Sequence, residues 1–100
     1  MDEDLRVARA VSEAVLTTDG VYALGTGRYA EAATYGPGEK VVGVVVGADD
    51  VEVRIVARYP PPEPLKALGE HIRERVAPIV EGRTTTVIVE DVEVSRDADL

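Results

Sequence analysis

The chain has 100 residues, of which 45% are hydrophobic, and carries a formal net charge of −8 with no cysteine. That length suits one domain, since two separate cores would each be too small to stand alone. The missing cysteine excludes disulfides, a thiol nucleophile and cysteine metal sites and suits a reducing compartment, while the acidity opposes binding to phosphate backbones and anionic lipid head groups.

The apolar residues are mostly Val, Ala, Leu and Ile, with no Phe or Trp and four Tyr. Such a core favours strands stacked against helices. Residues 3–17 read as the first helix. Leu5, Ala8, Val11 (or Ser12) and Val15 recur at three- and four-residue steps with Leu16 beside them, and Asp2, Glu3 and Asp4 place negative charge where the helix dipole favours it. Thr17, Thr18, Asp19 and Gly20 stop it. Val21 to Leu24 is a short apolar run before Gly25-Thr26-Gly27. Residues 28–35, RYAEAATY, are compatible with a weak strand, a loop or a helical turn.

Gly36-Pro37-Gly38 is a turn signal. Lys40 to Val46 is strand-like throughout, and Gly47 to Asp50 is a hairpin connection. Val51, Val53, Ile55 and Ala57 then alternate with Glu52, Arg54 and Arg58, which predicts an antiparallel hairpin over 40–59. Val56 breaks the alternation and suggests partial cover on the second face.

Pro60, Pro61, Pro62 and Pro64 have no amide hydrogen to give a ladder, so the strand ends at Tyr59. Pro64 suits the first turn of a second helix, beside Glu63. Leu65, Leu68, Ile72, Val76 and Ile79 form its apolar stripe; Pro78 should bend or end the last turn, and Glu81-Gly82 closes it. Thr84 to Val94 reads as a last strand. Val87 and Val89 share one parity and Val92 and Val94 the other, so a bulge at Glu90-Asp91 would restore one apolar face. Residues 95–100 read as a frayed polar tail.

The predicted fold is α+β: a single small domain with its core over about residues 5–94. It has an N-terminal helix, a valine-rich antiparallel hairpin, and a strand-helix-strand crossover, giving a mixed sheet with two helices on one face. The proline run is then a corner rather than a linker or a polyproline ligand, since neither side of it has a core of its own.

No chemistry-bearing constellation emerges. His71 is the sole histidine, and its helical neighbours Glu70, Glu74 and Arg75 do not converge on it as a general base or metal site requires. Gly25-Thr26-Gly27 lacks the third glycine and the Lys-Ser/Thr pair of phosphate loops, and reads as a turn. Asp49-Asp50 and Glu90-Asp91 lack the ligand ladder of a calcium loop. Ser12 and Ser95 have no arguable partner, and Thr84-Thr85-Thr86 reads as the start of a strand. Arg73, Arg75 and Arg83 are interleaved with Glu70, Glu74 and Glu81, the pattern of a solvated mixed-charge face. Tyr22, Tyr29 and Tyr35 lack the interleaved basic residues of a base-stacking platform and suit domain edges or a protein interface. No catalytic, cofactor or metal residue is assigned, and a non-enzyme is expected.

Taken in order, VARAVSEAVLTTDGVYAL, VVGVVVGADDVEVRIVARY, LKALGEHIRERVAPIVEG and VIVEDVEV resemble the alkaline shock protein family, also called the envelope stress response family, of Gram-positive bacteria. The resemblance covers roughly residues 5–94. It departs from the family at the proline run, at Glu81-Gly82-Arg83 and at Glu90-Asp91. It implies a non-enzymatic cytoplasmic stress protein and scaffold that self-associates and is held at the inner face of the membrane by a small integral-membrane partner. Direct insertion is not expected: no apolar run reaches the about 20 residues a bilayer requires, and the N-terminus lacks a signal peptide's basic start and apolar segment. Little Lys beside abundant Ala, Val, Arg and Glu suits a high-GC actinobacterium. The competing class is a small RNA-binding or ribosome-associated α/β domain, which would need a basic stripe despite the net charge. An enzyme with a pocket in the sheet would need convergent polar groups.

Overall fold

The computed structural model describes residues 3–27 and 32–94. Its elements in chain order are α1 (Glu3–Leu16), β1 (Val21–Leu24), β2 (Ala33–Gly36), β3 (Glu39–Val42), β4 (Val44–Val46), β5 (Asp50–Tyr59), α2 (Leu65–Val80) and β6 (Thr84–Val94). The architecture is α+β, with two helices over one mixed sheet.

β5 is the axis of the sheet. On one side it pairs in parallel with β6 over its whole length, and on the other it pairs antiparallel with β1 and with β4. β1 faces residues 55–57 and β4 faces residues 51–53, so the two short strands lie end to end along the same side. They meet at Arg54, whose carbonyl accepts the Gly25 amide and whose amide donates to the Gly43 carbonyl, both at 2.8 Å. Alternation along β5 puts Val51, Val53, Ile55 and Ala57 at 0% exposure under the helices. The other face stays half-buried, Val56 included.

The predicted hairpin over 40–59 holds only between β4 and β5. Lys40 to Val46 is not one strand: Gly43 takes φ +88°, and a Cβ there would lie 2.8 Å from both the Gly25 carbonyl oxygen and Leu24 Cβ. Only glycine turns the chain in that space. Before the break, β3 pairs with β2, Gly36 opposite Glu39. Pro37 and Gly38, the latter at φ +74°, are the residue pair a type II turn takes. Residues 33–36 are thus strand, while residues 28–31 fall outside the described part.

This second hairpin closes an edge. The Thr34 hydroxyl donates to the Val44 carbonyl at 2.6 Å and accepts from the Val46 amide at 3.0 Å, so one buried side chain stands in for a neighbouring strand beside β4. Leu5 of α1 packs against Gly36, where a Cβ would come within 2.8 Å of the leucine methyl.

α1 buries Leu5, Val7, Ala8, Val11 and Val15, whereas Leu16 is 49% exposed. Val7 enters the core because α1 is covered by α2, the sheet and the hairpin together, which widens its buried face. α2 buries Leu68, Ile72, Val76 and Val80; Leu65 is 37% exposed, and Ile79 only flanks the core. Pro64 is the N-cap rather than the first helical residue, and its carbonyl accepts the Leu68 amide at 3.1 Å. The helix runs past Pro78 and ends on Glu81, left-handed at φ 54°, and Gly82 at φ 85°. In β6, Val89 lies opposite Ile55 and Asp91 opposite Val56, which leaves Glu90 as the extra residue of the predicted bulge.

Thr34→Val keeps the volume but orphans a buried amide and carbonyl. The expected loss is about 1–3 kcal/mol in urea denaturation, with Thr34→Ser close to the parent.

Candidate functional site

The end of α1 and the start of α2 enclose an open groove of about 500 Å³, lined in part by Thr18, Asp19, Pro62, Glu63, His71 and Arg75. The proline corner carries Glu63 back over the first turns of α2, where its Oε1 lies 2.7 Å from His71 Nδ1. The His71 side chain is 56% exposed and that of Glu63 26%. His71 therefore has a carboxylate partner from outside its own helix, which helical spacing could not reveal. A histidine oriented by a carboxylate becomes a general base only beside a group to deprotonate. Thr18 donates to the Ala14 carbonyl at 2.9 Å, and Thr17 donates to the Glu13 carbonyl at 3.0 Å while accepting from Arg75 at 3.0 Å. These hydroxyls serve as stops for α1. Among the described residues no group of three or more His, Asp or Glu converges where it could hold a metal ion.

Gly25-Thr26-Gly27 does more than turn the chain. The bulge aims the Glu90 side chain across the outer face of the sheet, where its Oε1 accepts the Gly27 amide at 3.1 Å. A Cβ on Gly25 would sit 1.8 Å from the same oxygen. The loop thus holds an internal carboxylate, which lies in the space a side chain at position 25 would take. Asp91 accepts the Val92 amide at 2.8 Å and so serves the bulge, while the Asp50 carbonyl accepts the Gly47 amide at 2.7 Å in the hairpin turn.

Among the described residues four arginines are engaged with acids at close range. Arg6 pairs with Glu3, Arg9 with Glu39, Arg54 with Glu52 and Arg58 with Asp19. Arg83 donates to the Gly47 and Val80 carbonyls, so it is a brace between the β4–β5 turn and the end of α2. Tyr22 and Tyr35 are 51% and 59% exposed, and Tyr29 and Ser95 lie outside the described residues. Ser12 borders a second open groove between α1 and β3.

What remains conspicuous is β6. It is an eleven-residue strand paired with β5 along one edge and covered by α2 on one face. Its other edge has no strand partner among the described residues. At its C-terminal end Val92 and Val94 are 43% and 54% exposed, beside Tyr59 at 53%. An open ladder edge next to exposed apolar side chains is a template for another extended chain. No helix is long and apolar enough to cross a membrane among the described residues. Comparison with family models, with curated proteins and with solved structures returns no match to this chain.

Gly25→Ala is expected to push the exposed Glu90 carboxylate off the Gly27 amide, at a cost of about 0.5–1.5 kcal/mol in denaturation. Glu90→Ala removes the same hydrogen bond, so the double variant should cost little more than either single one in a double-mutant denaturation cycle, whereas strictly additive costs would separate the two positions.

Proposed function

We propose that this chain is a non-catalytic protein-interaction module that assembles by strand addition at the free edge of β6. The observation that carries the reading is that open edge, long and continuous with the apolar end formed by Tyr59, Val92 and Val94. The engagement of Arg6, Arg9, Arg54 and Arg58 with neighbouring carboxylates, in a chain of net charge −8, supports it from the other side, because it leaves a surface ill-suited to nucleic acid. The His71–Glu63 pair is an exposed corner clasp, of a kind worth little in stability. The resemblance in element order to the alkaline shock protein family extends the reading to a cytoplasmic scaffold of the envelope stress response, held at the inner face of the membrane by a small integral-membrane protein.

Thr86 and Val92 are both exposed, so lysines there block the two halves of the edge without touching the core. Native complexes isolated through a tag on the chain should sediment well above the monomer. The same preparation from a Thr86→Lys/Val92→Lys variant should return to the monomer. An unchanged sedimentation profile in the variant, or a complex that nuclease dissolves, overturns the reading.

A further inference from the structure

The edge of β6 is guarded along only part of its length. From Glu90 onward it carries a bulge and three acids, Glu90, Asp91 and Glu93, the devices by which natural sheets discourage pairing. From Thr84 to Val89 the sequence is TTTVIV. This stretch has no charge, no proline and no glycine, and its register with β5 is unbroken from Asp50–Thr84 to Ile55–Val89. A regular, uncharged, β-branched edge segment is an adhesive kind of strand, and it stands open in a chain of net charge −8.

We infer that the segment Thr85–Val89 pairs antiparallel with the same segment of a second copy, around a two-fold axis perpendicular to the sheet at Val87. This rests on the proposed role of β6 and names its occupant. The distribution of charge selects both occupant and direction. A basic partner segment would be matched by the acidic end of β6, not by its neutral part, whereas the neutral part matches itself. In a parallel pair of copies Asp91 would stand beside Asp91 and Glu93 beside Glu93, and like charges directly opposite are unfavourable. Antiparallel pairing sends the two acidic ends to opposite extremes of the dimer. The axis then keeps the helices of both copies on one face, so residues of like parity meet. Val87 and Val89 of one copy come level with Val87 and Thr85 of the other, and Thr86 and Ile88 do the same on the outer face. The joint is self-complementary and closes after two copies.

The chain has no cysteine, so single-cysteine variants report geometry cleanly. Sedimentation of the purified chain from micromolar to millimolar concentration should show a monomer–dimer equilibrium. Thr86→Lys should raise its dissociation constant by about tenfold or more, and Val92→Lys should leave it nearly unchanged. A short bis-maleimide should join Thr86→Cys chains into dimers and leave Glu93→Cys chains single. Cross-linking at both positions would mean a parallel pair and overturn the inference, as would equal weakening by the two lysines. A purified chain that stays monomeric throughout also overturns it, while native complexes sensitive to the double-lysine variant would leave strand addition by another protein standing. A dimer indifferent to Thr86→Lys overturns the inference, and native complexes equally indifferent to the double-lysine variant remove both readings.

Discussion

The structure depends on the pairing of β5 on both sides. A buried strand must satisfy its amides and carbonyls within the protein, because an unpaired buried polar group costs as much as several favourable contacts return. β6 meets that demand on one side with a single long segment. On the other side it is met by two short strands, β1 and β4, laid end to end. At their junction beside Arg54 a side chain on residue 43 would strike the Gly25 carbonyl and Leu24, so Gly43 occupies it.

Splitting one side of the ladder between two strands forces the chain between them out of the sheet. That excursion is used rather than tolerated. It forms the β2–β3 hairpin, which packs on α1 and places the Thr34 hydroxyl against β4. The loop leading into it is held by the Glu90 carboxylate, sent over β5 by the bulge in β6. A break in one strand, a hydroxyl on a second and a bulge in a third therefore answer the same requirement.

The outcome is unequal treatment of the two sides of the sheet. The β4 side is sealed by hydrogen bonds from within the chain, whereas β6 keeps an open flank whose acidic, bulged end and neutral, regular end differ in what they admit. The groove at His71 differs in kind. Its polar groups are turned toward helix ends and toward one another, Thr18 to Ala14 and Glu63 to His71, as suits a corner where prolines hand a strand to a helix.

The residues by themselves determined whatever depends on short-range periodicity and backbone chemistry. Alternation along Val51 to Ala57, the apolar steps from Leu68 to Val76, the end of β5 before prolines that cannot donate, and the bulge at Glu90 are all written in spacings of a few residues. Nothing in the spacing of Thr84 to Val94 says that this strand lies at the end of a sheet with its far edge open. Tertiary structure decided which segments share a side of β5, why Lys40 to Val46 breaks at Gly43, why Val7 is buried and Leu16 is not, and where Glu63, Glu90 and Thr34 find their partners. Those outcomes turn on whether a distant backbone group or apolar face is already satisfied by something else. Such satisfaction is a property of the whole packing, so no local pattern carries it.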